Sequence, residues 1–526
     1  MDGTPREDQQ RAKRSHRALR IATSGSALFA AATLFSRVLG LLRESVAARL
    51  FGATRERDLY LLAHAVAFQT VTTLVTAANA AVLPVLAWAA RSGDDATGGM
   101  VAAVAAAAPV VAAGAIAVFA GARPLSRVLS GASKPQDVHL LARLLRLTVW
   151  YVPLAGLANI AVTLPLADQR YPVPAIAYAI PNTAVLGVLA TTHRRFGIMS
   201  LAAGDLAGGF VFAAVVWTYV WWRYLRSQRP KPNWPLARRA GTLAIPPLLQ
   251  SLAAMSAALL ERSVMARLRV GLLSAYDYSR VLMNVAVGAL LAGPITVVAS
   301  FLAYEAGRRD PKLLARRVEQ ALAGVLLLAI FGAALLVANA PLVIAVLYRG
   351  MKFDEAAARA TASLVAWHAP PVLTTTVADV LGRACNAMHD TLSPAIAWIG
   401  GQLTRTALIP PLAHAFGGPG VAVARFAGAS LVALSLTVVL HRRQVIIPWL
   451  AVSLRTARLI VVAAISALAI RLLPASPGPA IGHNLALLAA RGIVQLLVFA
   501  ALVVIACPFE RDLLLAAARK RSQSSA

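Results

Sequence analysis

Long apolar stretches follow one another along the chain, separated by short polar connectors. A helix needs about 20 apolar residues to cross a membrane, and such a helix satisfies its own backbone hydrogen bonds. The pattern therefore predicts an all-α polytopic membrane protein with about fourteen transmembrane helices. They are predicted at 25–51, 59–90, 99–121, 139–167, 171–192, 197–222, 242–267, 270–305, 318–347, 360–387, 391–414, 418–440, 457–474 and 484–507.

Basic residues concentrate in the connectors 223–240 and 306–317, in the connector that begins at His441, and near both chain ends. Loops rich in Lys and Arg remain in the cytoplasm. With an even number of spans, this rule places both termini in the cytoplasm. The loop 122–138 also carries basic residues but falls on the outer side, so the rule has one exception here.

The proline-containing connector 223–240 divides the first twelve spans into two sets of six. The same four residues open the fifth span at Pro174 and the eleventh at Pro394, which suggests an internal repeat. Paired halves around a site near the membrane midplane are a common transporter plan. The predicted segments are a basic tail (1–24), an N-lobe (25–222), a linker (223–240), a C-lobe (241–440), a second linker (441–456), two further helices (457–507) and a cytoplasmic tail (508–526).

Composition supports a membrane protein, because 59% of the 526 residues are hydrophobic and only 14% are charged. A soluble protein carries about 25% charged residues. The net charge of +29 lies largely in the connectors, so membrane orientation explains it without a nucleic-acid partner. The two cysteines, Cys385 and Cys507, give little support to a disulfide or a metal site. The basic N-terminal tail lacks a cleavable signal pattern, and we expect it to stay in the cytoplasm.

Charged residues inside the first apolar stretch are the most informative positions: Arg37, Arg43 and Glu44. A charge at this depth costs several kcal/mol and usually faces a water-filled path. Gly40 lies between the two arginines and could allow the helix to bend. Arginine binds diphosphate well because its planar fork can bind bidentately. The alternative is that Arg43, Glu44 and Arg49 only reach the membrane interface at a helix end.

A second charged group, Asp277 and Arg280, is spaced for pairing on one helix face. The alternative is a purely local ion pair. Asp205 is the main candidate for a proton or sodium site, whereas Glu261 and Arg262 could be interfacial. Basic candidates outnumber acidic ones in the apolar runs, which favours an anionic cargo over a cationic drug.

The sequence has no phosphate-binding loop of the ATPase type, no metal-ligand motif and no nucleophile–base arrangement. We therefore expect a transporter without a resident cofactor or metal rather than an enzyme. Energy would come from a Na⁺ or H⁺ gradient, from the membrane potential or from substrate supply.

Several stretches resemble the MurJ/MviN family, the lipid II flippases of the MOP transporter superfamily. The most specific is Phe35–Gly40 followed by Arg43, Glu44 and Asp58; the others are Ser274–Arg280, Val346–Gly350 and Val380–Pro394. Together they cover most of the first twelve spans.

The resemblance implies two six-helix lobes around a central cavity, plus two C-terminal helices. It implies that undecaprenyl-diphosphate-linked peptidoglycan precursor is flipped from the inner to the outer leaflet of the bacterial cytoplasmic membrane by alternating access. Arg37, Arg43 and Arg280 would contact the diphosphate. Asp58 would belong to the outer gate, with Glu44 and Asp277 in its polar network. Membrane lipid, the lipid-linked sugar and cell-wall synthesis proteins would be the partners.

One departure is clear in the second span. The family carries basic residues and a glutamate there, whereas residues 70–80 of this chain carry no charge. A flippase for another polyprenyl-linked oligosaccharide, of exopolysaccharide or O-antigen type, therefore remains an alternative. So do a MATE-like antiporter, a non-transporting scaffold for wall-synthesis enzymes and, with less support, a membrane enzyme.

Overall fold

The computed structural model describes residues 35–131, 134–226, 230–306, 310–350, 352–474, 478 and 480–525. The tail 1–24 and the start of the first predicted span, 25–34, lie outside the described residues. The helices are α1 (35–51), α2 (Arg55–Ala77), α3 (Leu83–Ser92), α4 (Ala96–Ala120), α5 (Ala122–Ser130), α6 (Pro135–Thr148), α7 (Tyr151–Ala161), α8 (Thr163–Ala167), α9 (Pro172–Phe196), α10 (Met199–Val220), α11 (Trp234–Leu268), α12 (Leu272–Ala306), α13 (Pro311–Leu347), α14 (Glu355–Ala387), α15 (Leu392–Phe416), α16 (Gly418–Arg442), α17 (Trp449–Ala469), α18 (Ile481–Ala506) and α19 (Pro508–Ser525).

Within the described residues, 10 helical segments are long and apolar enough to cross a membrane. Two of these segments join several helices, because α2 runs into α3 through the π-helical turn Ala78–Val82 and α6 to α8 form one interrupted rod. The helices α1, α12, α14 and α15 lie at the remaining predicted spans. The predicted all-α polytopic fold is confirmed.

Helix α17 begins at Trp449, earlier than the predicted span at 457, because its first turns pack against α13 and α19. Arg455 forms an ion pair with Glu319 on α13 at 2.6 Å, and its guanidinium lies 3.7 Å from the ring centre of Phe509 on α19. The ion pair therefore joins α17 to α13, and Phe509 of α19 covers it.

The chain divides into two compact units, and the division falls between Met255 and Ser256, inside α11, rather than in the connector 223–240. Unit 1 contains the described residues up to Arg43 together with Leu59–Met255. Its core includes buried side chains from α2, α4, α8 and α10: Val71, Met100, Leu164, Phe212 and Val216.

Close packing of α10 on its neighbours fixes the position of Asp205. A Cβ added at Gly208 would lie 3.0 Å from the backbone oxygen of Pro181 on α9, and one at Gly209 would lie 2.5 Å from the ring of Tyr151 on α7. Small residues allow such approach between membrane helices. The helix that carries Asp205 therefore has little freedom to shift.

Unit 2 contains Glu44–Asp58 and the chain from Ser256 onward. Helices α15 and α16 touch at Gly401 and Gly428, where an added Cβ on either residue would lie within 2.7 Å of the other's backbone oxygen. Farther along, Arg491 on α18 donates to the side-chain oxygen of Asn339 on α13 at 3.0 Å. These contacts hold the helices of this unit in register.

The suspected repeat extends over two helical hairpins. Gln169 and His389, both with positive φ, stand five residues before the repeated Pro174 and Pro394. The helices that follow, α9 and α15, end at positive-φ glycines 23 residues after those prolines. Hairpins α9–α10 and α15–α16 therefore have the same local construction, and a residue of one can be matched to the residue 220 positions later.

A second repeat, which the sequence analysis did not find, joins Leu41–Gly52 to Leu259–Gly271. Gly52 ends α1 with φ of 64°, and Gly271 follows α11 with φ of 79°. A side chain at either position would be strained. The aligned segments read LLRESVAARLFG and LLERSVMARLRVG. The acidic and basic residues are exchanged, so Arg43 matches Glu261 and Glu44 matches Arg262.

Candidate functional site

A charged cluster lies within unit 2, between α11 and α12. Asp277 is buried and accepts hydrogen bonds from Arg280 through Nη2 at 2.6 Å and Nε at 3.2 Å. Arg262 brings a second guanidinium to 3.8 Å from the same carboxylate oxygen. The predicted local pair is present, but it belongs to a larger set, and the Arg280 side chain keeps 27% exposure.

The adjoining part of this cluster is built around Tyr276. Its hydroxyl donates to Glu261 at 2.6 Å and accepts from Arg425 on α16 at 3.1 Å. Glu261 also pairs with Arg405 on α15. Glu261 is only 1% exposed, so it lies inside the helix packing, and the interfacial alternative for it is wrong.

These side chains place more positive than negative charge in one region of unit 2. Arg262 and Arg280 share Asp277, Arg405 pairs with Glu261, and Arg425 donates to the Tyr276 hydroxyl, so four guanidiniums lie beside two carboxylates. Buried charges need compensation, so a region with excess arginine favours an additional anion. Arg405 and Arg425 stood out in the sequence only as single charges in apolar runs. Their convergence depends on packing.

Three further residues of unit 2, Glu44, Arg57 and Asp58, make buried contacts near the start of α2. Glu44 pairs with the fully buried Arg57, whose guanidinium carbon lies 5.7 Å from the ring centre of Tyr278. Asp58 accepts from the backbone N–H of Gly271 at 2.6 Å and from Ser274. Arg57 was missed, because Arg55–Asp58 reads as an ordinary solvated helix start.

In unit 1, the two candidates Arg43 and Asp205 meet. A guanidinium nitrogen of Arg43 lies 3.6 Å from Asp205 Oδ1. The other oxygen, Oδ2, accepts from Tyr60 at 2.7 Å and lies 2.9 Å from Nδ1 of His64. Asp205 is buried, while the side chains of Arg43 and His64 keep 19% and 20% exposure. A buried carboxylate thus faces partly accessible basic groups.

Arg37 lies one residue after a contact that positions α1 within unit 1. Ser36 donates to the backbone oxygen of Tyr178 at 2.9 Å, and Asn182 donates to the backbone oxygen of Ser36 at 3.1 Å. Arg37 is exposed and has no ion-pair partner among the residues that the structure describes. The helix continues through Gly40, so the predicted bend does not interrupt it.

Arg49 differs from the interfacial alternative. Its side chain donates to the backbone oxygens of Val346 at 2.7 Å and Leu347 at 3.1 Å, at the end of α13. The last carbonyl groups of a helix have no partner within it. Arg49 therefore caps α13 within unit 2.

The uncharged stretch 70–80 is internally satisfied. The hydroxyls of Thr70 and Thr73 donate hydrogen bonds to backbone oxygens one turn earlier, at 2.8 and 3.0 Å. The helix then passes into the π-helical turn Ala78–Val82. None of these residues offers a charge to a diphosphate.

Comparison with known proteins identifies the family of the chain. Residues 47–481 match the model of the family described as lipid II flippase MurJ. A probable lipid II flippase MurJ from Treponema pallidum is 25% identical over 180 residues, and the match spans 34% of each chain. The chain thus covers about a third of that relative's length.

Solved structures show the same fold. A lipid II flippase MurJ in an inward closed conformation is 18% identical, with a TM-score of 0.77 over 93% of this chain and 100% of that one. An inward-facing MATE family multidrug resistance transporter of the MOP superfamily is 13% identical, with a TM-score of 0.68 over 78% and 94%. The family match over most of its length shows that this chain belongs to the MurJ family of lipid II flippases.

Proposed function

We propose that the protein flips lipid II, an undecaprenyl-diphosphate-linked peptidoglycan precursor, from the inner to the outer leaflet of the bacterial cytoplasmic membrane by alternating access. The family to which the chain belongs supports the transporter class. The observation that supports an anionic cargo is the excess of arginine over carboxylate in unit 2.

The charge balance of that cluster favours binding of a further anion. The Asp277 carboxylate is shared by Arg262 and Arg280, and the Glu261 carboxylate by Arg405 and the hydroxyl of Tyr276. Two carboxylates cannot neutralise four guanidiniums, and a diphosphate brings the missing negative charge. A planar guanidinium can bind it through two parallel hydrogen bonds.

The individual contacts are part of the proposal. Arg37, Arg43 and Arg280 are the proposed diphosphate contacts, and Asp58, with Glu44 and Asp277, forms the proposed gate network. We also propose that both termini lie in the cytoplasm, and that wall-synthesis enzymes supply and consume the cargo at the two leaflets.

Complementation tests the proposal directly. The chain would be expressed in a bacterium depleted of its own lipid II flippase, beside Arg37→Ala and Arg280→Ala. Arg359→Ala is the matched control, since its ion pair with Glu355 is exposed. Rescue by wild type and the control, with neither Arg37→Ala nor Arg280→Ala active, supports the proposal. Normal function of both of these variants would refute the arginine assignment.

A flippase for a different polyprenyl-linked oligosaccharide is the second candidate, favoured by the uncharged stretch 70–80. It would bind the same diphosphate but a different sugar. Failure of complementation despite good membrane expression, together with binding of a prenyl diphosphate by the purified protein, would select this candidate. Expression with the wall-synthesis enzymes of the source organism would exclude a missing partner.

A further inference from the structure

The two repeats place residues of opposite charge at matching positions. Asp205 stands eight residues after Gly197 on α10, and Arg425 stands eight residues after Gly417 on α16. In the repeat that joins Leu41–Gly52 to Leu259–Gly271, Arg43 matches Glu261. The pair Arg43 and Asp205 of unit 1 is therefore the charge-reversed counterpart of Glu261 and Arg425 of unit 2.

A tyrosine hydroxyl contacts each pair, but through different partners. Tyr60 on α2 donates to Asp205 at 2.7 Å. Tyr276 on α12 donates to Glu261 at 2.6 Å and accepts from Arg425 at 3.1 Å. Each unit therefore brings an acidic residue, an arginine and a tyrosine hydroxyl together, with the acid and the arginine exchanged between the matched positions.

We propose that Asp205, with His64 and Tyr60, is a proton-binding site whose occupancy is coupled to cargo through Arg43. The inference rests on the proposed function, because it requires that Arg43 contact the cargo diphosphate. When Arg43 turns to the diphosphate, Asp205 loses the positive charge that favours its ionised form. Asp205 then takes up one proton from water, and it releases that proton when Arg43 returns.

The groups around Asp205 suit a proton better than a metal cation. Its Oδ2 is already occupied by the hydroxyl of Tyr60 and by Nδ1 of His64. Hard cations take about six oxygen ligands, and no cluster of three or more candidate metal-ligand side chains occurs among the described residues. The side chain of His64 keeps 20% exposure, which connects the site with water.

The titratable and charged groups that face Asp205 come from three helices. Arg43 belongs to α1, Tyr60 and His64 to α2, and Tyr151 to α7. Helices α6 and α9 place no ionisable side chain in ion-pair or hydrogen-bond contact with Asp205 within the described chain. Arg43 at 3.6 Å is the only one of these groups with a permanent charge, so its departure would remove a positive charge that is present at every pH tested.

Proton uptake on ligand binding tests the proposal. Farnesyl diphosphate would be titrated into the purified full-length protein by calorimetry, at pH 7 in buffers of different ionisation enthalpy. The wild type should take up more protons per bound ligand than Asp205→Asn, by up to about one, because the ligand's own proton balance is common to both. His64→Gln should move the midpoint of the affinity-versus-pH curve.

Asp390→Asn is the matched control, since Asp390 is another arginine-paired carboxylate and lies in the connector between α14 and α15. Its proton uptake should equal that of the wild type. Equal proton uptake by the wild type and Asp205→Asn would overturn the proton site and leave the proposed function standing. Ligand binding that occurs in a sodium salt but not in the matching choline salt would have the same consequence. Absence of binding by the wild type would overturn both. If Asp205→Asn elutes as aggregate, an unchanged pH midpoint in His64→Gln would refute the proposal.

Discussion

Ser274 donates both its backbone N–H and its hydroxyl to one oxygen of Asp58, at 2.8 and 2.6 Å. The other Asp58 oxygen accepts from the backbone of Gly271 at 2.6 Å. Both partners of the Asp58–Ser274 contact are fully buried. The start of α2 is thereby joined to the start of α12 in unit 2.

Replacing Asp58 by Ala should strongly destabilise the protein. Each buried donor left without a partner costs about 1–3 kcal/mol, and the substitution leaves three. We expect a large fall in thermal unfolding temperature in detergent, with loss of rescue following from the loss of folded protein. Glu56→Ala is the control, because Glu56 lies exposed in the same helical turn. Equal unfolding temperatures for the two variants would contradict the joining role.

Glu261→Ala should be among the most damaging substitutions in unit 2. It leaves the partly buried Arg405 without its carboxylate, and breaking a buried pair from one side costs up to about 3–5 kcal/mol. The double variant Glu261→Gln/Arg405→Gln removes both charges and should recover a large part of the lost stability. Thermal unfolding of the wild type, Glu261→Gln, Arg405→Gln and this double variant measures the coupling. Additive losses would show that the two side chains act independently.

Arg280→Ala should weaken the binding of a prenyl diphosphate by about tenfold or more, because a hydrogen bond to a charged group contributes about 1.5–3 kcal/mol. Stability should change less, since Arg262 still lies near Asp277. Calorimetry with farnesyl diphosphate measures the affinity, and Arg359→Ala again serves as control. Unchanged affinity for Arg280→Ala would remove this arginine from the binding site.

Arg49→Ala should act through stability rather than through ligand affinity. The side chain caps two backbone oxygens of α13, and their loss should cost about 1–3 kcal/mol. Rescue should be weakened less than by Arg37→Ala, and diphosphate affinity of the folded protein should be unchanged. Arg49→Lys should recover part of the stability. A tenfold loss of affinity without loss of stability would place Arg49 among the ligand contacts instead.

Acid should weaken the connector between α14 and α15. Burial opposes ionisation of Asp390, but hydrogen bonds from Ser393 and the charge of Arg443 hold the pKa of its carboxyl below the ordinary value. A lowered folded-state pKa stabilises the protein above the unfolded-state pKa near 4, and this contribution is lost as pH falls through the folded-state value. Unfolding temperatures between pH 3 and 7 should fall less steeply for Asp390→Asn. Parallel curves would refute this contribution.

The length of the apolar stretches was a reliable guide to the fold because membrane helices depend on local sequence. The α9 helix, predicted at 171–192, is found at Pro172–Phe196. Helix α17 was the weaker case. Its start at Trp449 depends on the contact of Arg455 with Glu319, which is 136 residues distant in the chain.

The candidate site was predictable one residue at a time. Asp277 and Arg280 are near in sequence, and their pairing follows from helical spacing. Glu261 was misread, because only the packing of α15 and α16 against α11 and α12 encloses it. Arg57 gave no signal, since the apolar surroundings that bury it come from distant segments.

The helical membrane fold, the family and the presence of charges at membrane depth could be predicted from the sequence, because a bilayer-spanning helix satisfies its backbone locally and tolerates few charges. Which charges meet depends on the tertiary structure. Arg43 pairs with Asp205, and Glu261 pairs with Arg405, and more than 140 residues of chain separate the partners in each pair. Such pairs depend on side-chain direction and helix packing, which no local pattern specifies.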